Sequence, residues 1–95
     1  MFVTLYRFTD QGIRNVKDSP SRLEASIKAA EKAGIKVLGA YYTLGEYDLV
    51  VVSEVADEQA AVAHTLATNA LGNVRSNTMP AFTPADFAEI LKRNA

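Results

Sequence analysis

Tyr47 and Asp48 are the residues of this chain best placed to do chemistry. They close the segment Leu44-Gly45-Glu46-Tyr47-Asp48, which lies between two apolar runs, Val37–Leu44 and Leu49–Val52. A phenol and a carboxylate at the mouth of an apolar cavity can orient a small ligand or take a proton from it. A structural reading stands beside that one. The tyrosine would pack over the end of a sheet and the acid would pair with an arginine or cap a loop, and structural ion pairs are common. Arg7 and Arg75 are the arginines in question, because each falls at an end of a strand-like run. Two arginines and one acid leave a positive charge that a ligand carboxylate or phosphate can neutralise through paired hydrogen bonds. Lys17, Ser19, Ser21 and Arg22 surround a helix start, where free amides and basic side chains suit an anion. Without a glycine-rich loop, an ordinary capped and charged helix start is the stronger reading there.

The single histidine, His64, is the obvious catalytic suspect. On a helix of about 100° per residue it lies about 200° from Val62, beside Thr68 and away from Leu66. That places it on the solvated face and counts against haem ligation or a histidine base. Tyr6, Tyr41 and Tyr42 read as sheet and interface core rather than a cofactor box, with hydroxyls that need partners if buried.

Composition narrows the chemistry further. There is no cysteine, which removes disulfides, thiolate zinc sites and thiol nucleophiles. One histidine per chain removes a multi-histidine metal site. No dinucleotide, phosphate-loop, nucleophile-elbow or metal-helix motif occurs, so no cofactor and no metal is expected. The net charge of −1 offers no basic excess for phosphates, which argues against nucleic acid. Charge is uneven: residues 1–36 carry seven Lys/Arg and four Asp/Glu, whereas residues 37–74 carry five acids and no Lys or Arg. No apolar run reaches membrane-spanning length, and the first residues lack the layout of a signal peptide. A cytoplasmic protein is the expectation.

The elements that must position these residues form one domain over 1–95. Phe2–Phe8 is rich in aromatic and β-branched residues and reads as a strand. Gly12–Val16 reads as a helical turn. A helix starts at Asp18-Ser19-Pro20-Ser21, where Ser21 and Glu24 can form a capping box, and ends at Gly34. Strands follow at Lys36–Leu44 and Tyr47–Val55, joined by a tight hairpin in which Gly45 would supply a positive φ. Asp57 caps a helix over Glu58–Leu71, with Val62, Ala63, Leu66 and Ala70 on its apolar face. Val74–Met79 is an edge strand closed by Pro80. Thr83-Pro84-Ala85-Asp86 opens a short terminal helix, with Phe82 and Phe87 as a hydrophobic staple.

The order β-α-β-β-α-β with a C-terminal helix predicts an α+β, ferredoxin-like fold. Its antiparallel sheet has the order 4-1-3-2, with both main helices on one face. The other face should alternate with polar residues, yet the first three strands are apolar on both sides. An open apolar face of that size demands cover, and a second copy packed sheet to sheet is the simplest one.

With these motifs in order, the chain resembles the GYD-domain family, small proteins placed among the dimeric α+β barrels. The resemblance runs along nearly the whole chain. Its blocks are Phe8-Thr9-Asp10-Gln11-Gly12-Ile13, Lys17-Asp18-Ser19-Pro20, Gly45-Glu46-Tyr47-Asp48, and Gly72-Asn73-Val74-Arg75 followed by Ala81-Phe82. Tyr42 stands where the family often has tryptophan, and Pro80 where a basic residue is expected. The resemblance implies a dimeric α+β barrel; the family is largely uncharacterised and implies no settled activity.

Three functions follow as expectations. The first is a small oligomeric protein that binds a small ligand, an anion among the choices, in a cavity at one end of the sheet, with Arg7, Lys17, Tyr47, Asp48 and Arg75 as binding residues. The second is a cofactor-independent enzyme of the isomerase or oxygenase type using Tyr47 and Asp48, an idea resting on fold analogy. The third is a structural or partner-binding module without a pocket. Strand order brings Arg7, Tyr47-Asp48 and Arg75 to one rim, where Arg7 is expected to lie between Asp48 and Arg75, and to contact Asp48 if strand parity puts them on one face.

Overall fold

The computed structural model describes residues 1–94. The chain runs β1 (Phe2–Phe8), α1 (Asp10–Arg14), a 3-10 turn (Val16–Asp18), α2 (Ser19–Lys32), β2 (Ile35–Tyr42), β3 (Leu49–Val55), α3 (Glu58–Ala70), β4 (Val74–Pro80) and α4 (Pro84–Lys92). All four strands form one antiparallel sheet in the order β2-β3-β1-β4, which is 4-1-3-2 read from the other edge. Pro80 is tolerated because β4 is an edge strand. No helix is long and apolar enough among the described residues to cross a membrane.

Local chemistry accounts for most element ends. Thr9 caps α1 by accepting the Gly12 amide, Asp57 caps α3 by accepting those of Gln59 and Ala60, and Thr83 caps α4 by accepting that of Asp86. In α2, Pro20 sits in the first turn and Gly34 follows the helix end at φ +82°, a left-handed conformation that glycine adopts without strain. The Ser21–Glu24 capping box does not form; Asp18 is the N-cap, and its side chain makes no capping bond.

The hairpin is looser than its sequence suggests. β2 ends at Tyr42 and β3 starts at Leu49, so residues 43–48 form a six-residue connection. The positive φ is at Leu44 (+52°) and not at Gly45. The loop is closed instead by the Thr43 amide on the Asp48 carbonyl at 2.9 Å and the Gly45 amide on the Tyr47 carbonyl at 2.9 Å. Tyr47 and Asp48 therefore precede the strand instead of alternating along it.

Register fixes the two faces of the sheet. Phe2, Thr4 and Tyr6 of β1 lie opposite Ser53, Val51 and Leu49 of β3, and all of them face the helices. Val3 and Leu5 lie opposite Val52 and Val50 on the other face. A bulge between Val37 and Gly39 resets β2, so Tyr42 joins the helix side, where its hydroxyl bonds Ser19 of α2 at 2.9 Å. Tyr41 is left on the open side, 62% exposed.

One expectation about α3 is reversed. Val62 and Leu66, the presumed core residues, are 58% and 63% exposed. Ala61, His64, Thr65 and Thr68 face the sheet instead. Helical period alone defines which residues share a stripe; it does not say which stripe turns inward when the apolar one is as short as this. The hydrogen bonds from Asn69 to Ser76 of β4 (2.9 Å) and between His64 and Ser26 of α2 (3.3 Å) hold the helix in the observed rotation.

The helix α1 meets the connection between α3 and β4 at closest range. Gly12 is buried there, and a Cβ at this position would run into the carbonyl group of Asn73. Gly12→Ala is expected to destabilise the fold by about 1–3 kcal/mol, since the obstacle is backbone and cannot move aside. Urea unfolding checks this, and an unchanged midpoint would mean that the contact does not form.

Candidate functional site

Three of the motif blocks meet at the end of β1. On one side lies the loop before β3. The Asp48 amide donates to the Tyr6 carbonyl at 2.8 Å, and the Phe8 amide donates to Asp48 Oδ2 at 2.8 Å. Together these bonds continue the β1–β3 ladder past its last regular pair, with a carboxylate standing in for a backbone carbonyl. On the other side lies the connection before β4. The Thr9 amide donates to the Asn73 carbonyl at 3.1 Å, and the Thr9 hydroxyl donates to the Gly72 carbonyl. Gln11 Nε2 reaches both the Leu71 carbonyl and Asn73 Oδ1 at 3.0 Å. Gly72 sits at φ +84° beneath that side chain.

The expected rim is thus assembled, but its pairings differ. Arg7 does not contact Asp48. Its Nη2 meets Glu46 Oε1 at 3.1 Å, and its guanidinium lies 4.8 Å from the centre of the Tyr47 ring. Sequence reasoning missed Glu46, although its position in the turn directly before Tyr47 was the available signal. Asp48 is taken up by the Phe8 amide, a geometry that strand parity could not foresee because Asp48 is outside the strand. Arg75 is the cross-strand partner of Arg7 and shares its face. Among the described residues the ion pairs are Arg7–Glu46, Lys28–Glu24 and Lys92–Glu89, so neither Arg75 nor Lys17 is paired. Lys17 sits exposed on the 3-10 turn. The Arg7–Glu46 pair is itself exposed and screened by solvent, so it contributes little to stability.

A second concave feature lies on the other side of the sheet. The helices α2 and α3 stand over a cavity of about 470 Å³, floored by Phe2, Tyr6, Leu49 and Val51. His64 and Arg22 are on its wall. Burial lowers the His64 pKa and raises that of Tyr6, so both are neutral near pH 7. His64, expected on the outer face, is therefore an inward residue. Among the described residues no group of three or more His, Cys, Asp or Glu is placed to hold a metal ion.

The family model of the GYD domain matches residues 2–91. A protein of Thermus thermophilus named as a glutamine synthetase and cystathionine beta-lyase binding protein is 30% identical over 92 residues, which cover 96% of this chain and 97% of its own. No solved structure matches the chain.

The motif acid can be tested directly. Asp48→Ala leaves the Phe8 amide without its acceptor, and a cost of about 1–3 kcal/mol is expected in urea unfolding. Asp48→Asn, whose side-chain oxygen still accepts, should recover part of that loss. Faster amide exchange at Phe8 in the alanine variant would locate the effect, and equal stability of all three proteins would refute it.

Proposed function

This chain belongs to the GYD domain family, and we propose that it works as a partner-binding module built on a homodimer. The observation that carries the reading is the open face of the sheet. Val3, Leu5, Val50 and Val52 form a continuous apolar centre there, with Tyr41 and Met79 exposed beside it. Covering such a face contributes roughly 25 cal/mol per Å² of apolar area, and an isologous contact covers it twice over with one surface. The ferredoxin-like order would then close into a dimeric α+β barrel.

The relative's name supports enzymes as further partners. For this chain we assign that contact to α4. Thr83 caps it firmly, yet it makes only marginal contact with the other elements. Phe82, Phe87 and Leu91 are each more than half exposed. A short amphipathic helix of this kind suits the groove of another protein. A glutamine synthetase is the partner to try first.

A narrower reading concerns the rim. Arg7 and Arg75 face the same way, and one carboxylate, Glu46, pairs with Arg7, so a net positive charge remains for an anion. Tyr47 and Lys17 would border that anion, and Asp48 would hold the loop.

Sedimentation tests the main reading. The protein is expected to be a dimer at micromolar concentration. Val50→Lys on the open face should give a folded monomer, and Val51→Lys on the helix side should unfold the chain. A monomeric wild-type protein, or a dimeric Val50→Lys variant, would overturn it. Phe87→Asp with Leu91→Asp should abolish co-sedimentation with purified glutamine synthetase and leave the dimer intact. Arg75→Ala separates the rim readings: loss of phosphate binding with fold and dimer retained supports a site, and reduced stability with no phosphate bound by either protein refutes it.

A further inference from the structure

The cavity between sheet and helices follows from a choice of side chains. α3 carries large apolar residues but turns Val62 and Leu66 to solvent. Ala61, Thr65 and Thr68 face the sheet in their place, and Ser26 and Ala30 do the same from α2. Leu23 and Ile27 of α2 also line the space, but the short side chains between and opposite them leave the volume above Phe2, Tyr6, Leu49 and Val51 unfilled. The resulting volume of about 470 Å³ is in the range of small-molecule sites.

Its electrostatics are one-sided. Arg22 is the cavity's only charged residue among the described ones, and no carboxylate lines it. One guanidinium nitrogen, Nη1, donates to the Asn15 carbonyl at 3.0 Å. The other, Nη2, is buried and has no partner among the described residues. A buried cationic donor without an acceptor is unfavourable, and an anionic acceptor relieves it. Ser26 Oγ and His64 Nε2, 3.3 Å apart on the same wall, add neutral hydrogen-bonding groups.

We propose that this cavity is a binding site for a small monocarboxylate with an apolar body, an aromatic or branched aliphatic acid. Its carboxylate accepts from Arg22 Nη2, and its body rests on Phe2, Tyr6, Leu49 and Val51. A second anion site on the rim and a dimer across the open face are both on the opposite side of the sheet, so this site is independent of them. A single cation with no acid nearby selects a monoanion, and the apolar floor excludes sugars and free phosphate.

Calorimetric titration of the intact protein with phenylbutyrate, indoleacetate and isocaproate, each beside its corresponding alcohol, tests the assignment. At least one acid is expected to bind about tenfold or more tightly than its alcohol, the usual scale of a buried charged hydrogen bond. Arg22→Met should remove that preference and leave alcohol binding unchanged. Thr65→Leu, which takes up part of the cavity from α3, should raise the unfolding midpoint and weaken binding of acid and alcohol alike. Three acids that fail to bind at millimolar concentration, an alcohol that binds as well as its acid, or unaltered binding in Thr65→Leu would each overturn the proposal. Sedimentation of the same variants should be unchanged, which separates this site from the dimer contact.

Discussion

The last residues of β1 must have their backbone groups satisfied on both sides, and much of this fold is arranged to do it. β1 is a central strand, yet β3 stops pairing at Leu49, opposite Tyr6. An unpaired Phe8 amide at that point would be costly. Asp48 supplies the acceptor from one side, and the Asn73 and Gly72 carbonyls engage Thr9 from the other. Thr9 then caps α1, whose Gly12 packs on Asn73. Three separated blocks of sequence are thereby one contact, and the family's naming motif forms one wall of it.

The two faces of the sheet resolve their apolar character in different ways. Toward the helices, burial is thin. Tyr6, Ala30, Ile35 and Leu49 are the buried hydrophobic residues among those described, and a cavity occupies much of what would be core. On the other face the apolar centre of Val3, Leu5, Val50 and Val52 is continuous. A domain of this size buries a smaller share of its surface than a larger one. It therefore depends more than most on what covers the remainder, which is the physical basis for reading it as a module that assembles.

The residues whose types suit chemistry also carry structural contacts. Tyr47 and Asp48 have the right groups, but one lies beneath Arg7 and the other holds a backbone amide. Arg22 and His64 had the weaker sequence case, one in an ordinary helix start and the other on a face expected to be solvated. They line the cavity because α2 and α3 are held by side-chain contacts to neighbouring strands, Tyr42 with Ser19 and Asn69 with Ser76. Those bonds join residues whose mutual approach no periodicity encodes.

By itself the sequence determined the elements, their order and the two-sided apolar sheet. These depend on local rules: caps at Asp57 and Thr83, a glycine helix stop at Gly34, a proline confined to an edge, and alternation along strands. Strand order and the convergence of Arg7, Asp48 and Arg75 at one end followed from topology. Only the tertiary structure decided which acid meets Arg7, where β3 begins, which stripe of α3 turns inward, and that the space beneath it is a cavity. Each of those outcomes depends on contacts between side chains and backbone groups that a local pattern leaves open. A helix with small residues on one stripe and a few large ones on another can be seated either way. The choice rests with side chains on other elements, which a local pattern does not contain.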